Sequence, residues 1–185
     1  MKILIPFLLL IILFTNSCKE KEKTISIIIL DNELKYIPDS VFKKPNLTHL
    51  SISQEGYTLY PPLSAMESDT SFKMPLNQLP DELCKLTQLK ALKINGSRIK
   101  SLPAGFSNLK NLEILDLSLN PQLKIINEIG RLKSLPKLRH LNIYQTNITE
   151  EESTILLKEL PGKVKIIQDL KSFQKEAELI FPVNE

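Results

Sequence analysis

The chain has 185 residues, 42% of them hydrophobic and 24% charged, which is the composition of an ordinary single-domain globular protein. The formal net charge is only +3 and the basic residues are scattered along the chain, so the charge gives no case for a nucleic-acid partner. Tryptophan is absent and only five glycines occur, so glycine-rich phosphate-binding loops are not expected.

Residues 1–17 have the pattern of a signal peptide. Lys2 precedes an apolar run, residues 3–14, that is too short to cross ~30 Å of hydrocarbon comfortably. Ser17 stands directly before Cys18, and this pairing resembles the lipobox of bacterial lipoproteins, although Thr15 and Asn16 depart from the usual residues. The resemblance implies acylation of Cys18. The charged run after it cannot bury enough apolar area to fold, so residues 18–24 are predicted to be a solvated tether. An ordinary secretory signal and an uncleaved anchor helix are the alternatives.

A repeat with a period near 23 residues fills most of the remaining chain. Its units have apolar residues at positions 1, 4, 6 and 11, often Asn at position 9, a Leu-Pro pair at positions 14 and 15, and apolar residues at positions 18 and 21. Positions 4 and 6 face one side of a short strand, and the proline ends it. The later apolar pair suits a helical turn behind the strand. Units are predicted to start at residues 25, 47, 69, 89, 112, 138 and 161.

Residues 112–120 resemble the leucine-rich repeat consensus, and the unit starting at residue 89 resembles the Leu-Pro subfamily. The resemblance covers residues 25–167. It implies an α/β solenoid of about 6–7 repeats, with a parallel sheet on the concave face and short helices or 3₁₀ turns on the convex face.

Within this frame, Ile28 and Leu30 are assigned to positions 4 and 6 of the first unit, and Phe72 and Met74 to those of a degenerate third unit. Val164 and Ile166 are assigned to the same positions of the last unit.

Two helices are predicted near the C-terminal end of the chain. Thr149 and Glu152 form a capping-box pattern, which predicts a helix over about residues 150–160. Residues 168–185 are predicted to form a capping helix and tail, because Leu170, Phe173, Ala177 and Ile180 have helical spacing. A partner-binding helix is the alternative reading of that segment.

The concave face is the predicted binding surface. Ile114, Leu119 and Tyr144 are expected to form a small exposed apolar anchor. The polar residues expected to contact the partner are Lys93, Asp116, His140 and Asn142. The partner would be a protein or a glycan. The irregular segment 53–71 is read as a protruding loop that either takes part in recognition or has no role.

Catalytic or metal chemistry is not expected. His49 and His140 fall in one column four units apart, roughly 19 Å at ~4.8 Å per strand, so they cannot share a metal or a proton. Cys84 lies inside a repeat and is read as a half-buried filler. Some leucine-rich repeat effectors carry a separate ubiquitin-ligase domain, for which this chain has no room.

The sequence therefore predicts a non-enzymatic protein-interaction module without cofactors. The lipid on Cys18 would anchor it in the cell envelope, at the outer membrane or cell surface rather than the inner membrane. A structural envelope lipoprotein with no specific concave-face ligand is the alternative.

Overall fold

Six short strands form one parallel sheet in the computed structural model, which describes residues 26–30, 34–53, 76–169 and 171–172. The strands pair in chain order, each with the next. They are β1 (Ser26–Leu30), β2 (His49–Ser53), β3 (Ala91–Asn95), β4 (Ile114–Asp116), β5 (His140–Asn142) and β6 (Lys165–Ile167). This all-parallel order confirms the predicted solenoid.

Short helical segments connect the strands and lie on the convex side of the solenoid. The α-helices are α1 (Asp39–Phe42), α2 (Ile129–Lys133) and α3 (Glu150–Glu159), and the 3₁₀ helices are Asp81–Lys85, Ala104–Asn108 and Ile125–Glu128. Pro80 and Pro103 stand directly before two of the 3₁₀ helices, where a missing N–H has no helical partner to lose. The Leu-Pro pairs therefore mark the start of the back segment, as predicted.

The core lies between the sheet and these segments. Strand positions 4 and 6 are at most 1% exposed in the described repeats from β2 to β5: Leu50, Ile52, Leu92, Ile94, Leu115, Leu117, Leu141 and Ile143. Phe106 fills the space behind them and is fully buried. Burial of a side chain of this size contributes ~2 kcal/mol. Much of that burial is supplied by the neighbouring repeat, because one repeat cannot cover its own apolar face.

A buried amide joins consecutive repeats at position 9. Asn120 Nδ2 donates to the carbonyl oxygens of Ile94 (2.8 Å), Leu117 (2.8 Å) and Ser118 (3.1 Å). The first acceptor belongs to the preceding repeat and the other two to its own. Thr146 holds the same position one repeat later and donates to the Ile143 carbonyl at 2.9 Å.

Position 8 of the repeat requires a left-handed backbone. Gly96, Leu119 and Gln145 occupy it in successive repeats, with φ of 65°, 61° and 54°. A residue with a Cβ is strained in this region by ~1–2 kcal/mol, and glycine is not. The β4 and β5 repeats therefore carry strain that the β3 repeat avoids.

The first repeat is shifted by one residue from its predicted register. Ile27 pairs with Leu50 and Ile29 with Ile52, so the assignment of Ile28 and Leu30 to positions 4 and 6 is wrong. The run from Ile27 to Leu30 is apolar at every residue, so a period of two cannot select which parity belongs to the core.

The predicted third repeat adds no strand between its neighbours. Strand β2 pairs directly with β3, with His49 opposite Ala91 and Ser51 opposite Lys93. Phe72 and Met74 lie outside the described residues. The apolar residues that follow are buried and complete the second repeat: Leu76, Leu79, Leu83 and Leu86.

The last repeat is shifted by two residues, since Ile166 pairs with Leu141 where Val164 was expected. An even shift keeps each side chain on its face, and Val164 and Ile166 still pack against the core.

The capping-box prediction is confirmed. Thr149 Oγ1 accepts from the Glu152 N–H (3.2 Å), and Glu152 Oε2 accepts from the Thr149 N–H (3.1 Å), at the start of α3. The predicted signal peptide, the tether, residues 54–71 of the predicted loop and most of the C-terminal capping segment lie outside the described residues.

The strain at position 8 can be measured with two opposite substitutions. We expect Gly96→Ala to lower the free energy of unfolding by ~1–2 kcal/mol, because alanine meets the left-handed penalty that glycine escapes. Gln145→Gly at the equivalent site should leave it unchanged or raise it by up to ~1 kcal/mol. Urea unfolding followed by circular dichroism would measure both, and equal losses in the two variants would contradict the assignment.

Candidate functional site: the concave sheet face

The strand register aligns the side chains of the concave face in two central columns. Column 3 contains His49, Ala91, Ile114, His140 and Lys165. Column 5 contains Ser51, Lys93, Asp116, Asn142 and Ile167. Four of the seven predicted contact residues lie on adjacent strands β4 and β5, namely Ile114, Asp116, His140 and Asn142, so the structure does bring them together.

Asp116 is buried at the centre of column 5, with only 7% of its surface exposed. Its Oδ1 accepts from the Ser118 N–H (2.9 Å) and from Ser118 Oγ (2.6 Å). Burial raises the pKa of this carboxyl, while the Ser118 hydrogen bonds and the charge of Lys93 oppose the shift. Lys93 lies opposite Asp116 in the β3–β4 register. The carboxylate therefore shapes the end of β4 as well as adding charge to the face.

Asn142 repeats this arrangement one strand later. It is 4% exposed, and its Oδ1 accepts from the Tyr144 N–H at 3.1 Å. In both cases a side-chain oxygen accepts a hydrogen bond from the backbone N–H two residues later, which stabilises the turn at the end of the strand. Both side chains are fixed before any partner arrives.

The predicted apolar anchor is only partly exposed. Ile114 and Tyr144 are half-buried, but Leu119 is 3% exposed, so its assignment as an exposed residue is wrong. Leu119 has the same parity as the core residues Leu115 and Leu117, so strand alternation gives no support for its exposure. Its N–H donates to the Tyr144 carbonyl at 2.7 Å, so Leu119 supports the position of Tyr144 from below the surface.

The two histidines are three strands apart, not four, because β2 pairs directly with β3. The separation is ~14 Å at the usual strand spacing, still too long for a shared metal. Burial lowers the pKa of both rings, and nearby cations lower it further, Lys90 beside His49 and Lys165 and Arg139 beside His140. Both are therefore neutral near pH 7.

Possible metal ligands and the free thiol can be placed in the part of the chain that the structure describes. There, no three His, Cys, Asp or Glu side chains come close enough to hold a metal ion. Cys84 is a free, buried thiol whose pKa is raised by burial and by Asp81. Its thiolate is disfavoured, which agrees with a packing role. The described residues also contain no helix with the length and apolarity needed to cross a bilayer.

A cavity of about 420 Å³ opens on the back of the molecule, beside α1 and the first 3₁₀ helix. Tyr36 is 82% exposed at its wall. The other lining residues are Lys35, Ile37, Asp39, Phe42, Asn77, Gln78, Pro80 and Glu82. Sequence reasoning missed this cavity, because its walls come from turns about 40 residues apart that only direct β2–β3 pairing brings together.

Comparison with known proteins agrees with this geometry. Residues 87–148 match the family model described as leucine rich repeat. A solved leucine-rich repeat protein of Leptospira interrogans is 24% identical, with a TM-score of 0.53. The likeness covers 78% of this chain and 37% of that protein, and it concerns the fold.

Curated relatives match over a small part of their length. A probable disease resistance protein of Arabidopsis thaliana is 36% identical over 112 residues, which are 60% of this chain and 11% of the relative. The adenylate cyclase of Schizosaccharomyces pombe is 32% identical over 133 residues, 69% of this chain and 7% of the cyclase. The chain therefore spans about a tenth of the curated relatives that it matches.

The buried carboxyl of Asp116 makes the free energy of unfolding depend on pH. Because the pKa of Asp116 is raised in the folded state, the folded chain keeps this proton to higher pH than the unfolded chain does. Its contribution to the free energy of unfolding therefore falls as pH rises from 3.8, the ordinary pKa, through the raised value. We expect Asp116→Asn, which can still accept from Ser118, to be more stable than the parent at pH 7 and equal to it below pH 3.8.

The matched control is Asn142→Asp, which places a carboxyl in the equivalent turn one strand later. It should lose stability at neutral pH and recover it on acidification. Thermal unfolding across the pH range would measure both variants, and a pH-independent difference for Asp116→Asn would contradict this assignment.

Proposed function

Because this chain is a leucine-rich repeat protein, we propose that it is a non-catalytic interaction module that holds a protein partner on its concave face. The observation that carries the proposal is the continuous six-stranded sheet, whose columns present mixed polar and apolar side chains from neighbouring strands. Parallel pairing places those side chains at regular ~4.8 Å intervals, which suits an extended protein surface.

The contact centre lies at β4 and β5. Ile114 stands between Ala91 and His140 in its column, and the small, buried Ala91 leaves room on one side of the isoleucine. Tyr144 is half-buried just beyond β5, where its phenol oxygen accepts from Gln145 Nε2 at 3.2 Å. An aliphatic and an aromatic side chain beside a neutral imidazole form the type of anchor that dominates many interfaces.

Polar side chains around this centre are already ordered. Asp116 and Asn142 are held by the turns that follow their strands and expose only 7% and 4% of their surface, so they fix the shape of the face and offer a partner little contact area. Lys93 supplies a cation on the neighbouring strand.

The proposal includes an anchor in the bacterial cell envelope, through acylation of Cys18. Its support is the apolar run before Ser17, the cysteine that follows and the charged residues 19–23. Under this proposal the module acts at a membrane, at the outer membrane or cell surface.

The concave anchor is tested by Ile114→Ala, His140→Ala and Tyr144→Ala combined. With a partner captured from an envelope fraction and then purified, we expect affinity to fall by at least ~2 kcal/mol, roughly thirtyfold in Kd. Isothermal titration calorimetry would measure the loss.

The matched control replaces the exposed convex residues Ile155 and Leu157, which are 47% and 54% exposed on α3, by alanine. This variant should bind as the parent does. Unchanged affinity in the concave variant would reject the anchor and favour a structural envelope protein without a specific concave-face ligand.

Acylation has its own test in the two cysteines of the chain. Cells fed a clickable fatty acid should label the parent and a Cys84→Ser variant, while Cys18→Ser should lose all label and leave the membrane fraction. Label that persists in Cys18→Ser, or is lost in Cys84→Ser, would contradict lipidation at Cys18.

A further inference from the structure

The edge of the sheet where the strands begin is strongly basic. For each of the strands β2–β6, we define a window of six residues: the five before the strand and its first residue. Together these windows contain seven cationic residues and one acidic residue, Glu113. The seven, called the basic edge, are Lys44, Lys90, Lys110, Lys137, Arg139, Lys163 and Lys165. The other described residues contain eleven cations and ten acids, so nearly all the net positive charge of the described chain lies on this edge.

Backbone hydrogen bonds show that these windows stack on one another. The N–H groups of Glu113 and Ile114 donate to the Lys90 carbonyl, and those of Arg139 and His140 donate to the Glu113 carbonyl. The Lys165 N–H continues the series to the Arg139 carbonyl at 2.6 Å. Cations that are more than 20 residues apart in sequence are therefore about one or two strand spacings apart in space.

Three exposed amines of the basic edge are held by neutral oxygens. Lys110 Nζ donates to the Ser134 carbonyl (3.0 Å), Lys137 Nζ to Asn111 Oδ1 (2.7 Å) and Lys163 Nζ to the Pro136 carbonyl (2.6 Å). These acceptors orient the side chains without cancelling their charges. By contrast, Lys133 on the back of the molecule is paired with Glu159 at 2.7 Å.

The topology brings the proposed lipid anchor to the same edge. Parallel strands all begin on one edge, so the chain enters β1 at Ser26 beside the basic edge. Eight residues lead from Cys18 to Ser26, which limits their separation to ~28 Å. The sheet from β1 to β6 is ~24 Å wide, so an anchoring membrane lies within reach of the whole edge.

We propose that the basic edge rests on the anionic lipid phosphates of the membrane that holds the chain. This inference rests on the anchor proposed above and gives the module a fixed orientation. The strands then rise from the bilayer surface, and the concave face stays open to one side.

The test compares lysine reactivity in vesicles of two compositions. The full chain is reconstituted in phosphatidylcholine, alone or mixed with phosphatidylglycerol, and labelled with a water-soluble amine reagent read out by mass spectrometry. We expect Lys110, Lys137 and Lys163 to label several-fold more slowly in the anionic vesicles only. Lys100 and Lys158, which lie off the edge, should label equally in both, and added salt should abolish the protection.

Charge reversal provides matched variants with the same net charge. Lys110→Glu, Lys137→Glu and Lys163→Glu combined should remove the protection of Lys44, whereas Lys100→Glu, Lys124→Glu and Lys158→Glu combined should leave it intact. Glutamine replacements at the same three edge positions give the same test if the glutamate variant does not fold.

Equal labelling in the two lipid compositions would overturn the proposal, as would equal effects of the two triple variants or failure of the chain to associate with anionic vesicles. Protection by an acidic protein in the absence of lipid would also overturn it. Partner affinity and fatty-acid labelling are measured separately, so failure of the concave-face or anchor proposal is distinguished from failure of this one.

Discussion

Every feature of this molecule depends on one constraint: a repeat cannot bury its own leucines. Leu92 and Ile94 are fully buried only because β2 and β4 flank them in register. The backbone ladder and the apolar core therefore form together, and the amide of Asn120 adds a fixed connection between two repeats. Such a stack gains stability from nearest-neighbour contacts and not from a single central core. Regular strand spacing and aligned surface columns follow from the same requirement.

The sequence is sufficient to predict the architecture. It predicts the pairing register of a strand only where apolar and polar residues alternate. Repeats with polar residues between leucines, such as Leu115-Asp116-Leu117, have one possible parity and were assigned correctly. The uniformly apolar run Ile27–Leu30 allows both parities, and only pairing with Leu50 and Ile52 decides between them. Spacing alone predicts a repeat around Phe72, because it cannot show that β2 and β3 pair directly.

The candidate site shows the same division between what spacing predicts and what geometry adds. Alternation placed Ile114, Asp116, His140 and Asn142 on one face, because side-chain direction in a strand is fixed by parity. Alternation also gives Leu119 the inward parity of Leu115 and Leu117, so its place in an exposed anchor does not follow from the pattern, and the structure buries it. Alternation could not reveal the basic edge, because cations that are scattered in the sequence become neighbours only when the starts of the strands stack.

The direct pairing of β2 with β3 gives one step of the ladder a longer connection than the next. From His49 to Ala91 the chain takes 42 residues to advance by one strand, whereas the next step, from Ala91 to Ile114, takes 23. In general, doubling the length of a loop adds only ~0.6 kcal/mol of closure entropy. The extra length of this step therefore costs the ladder little, and strands β2 and β3 pair over five residues as β1 and β2 do.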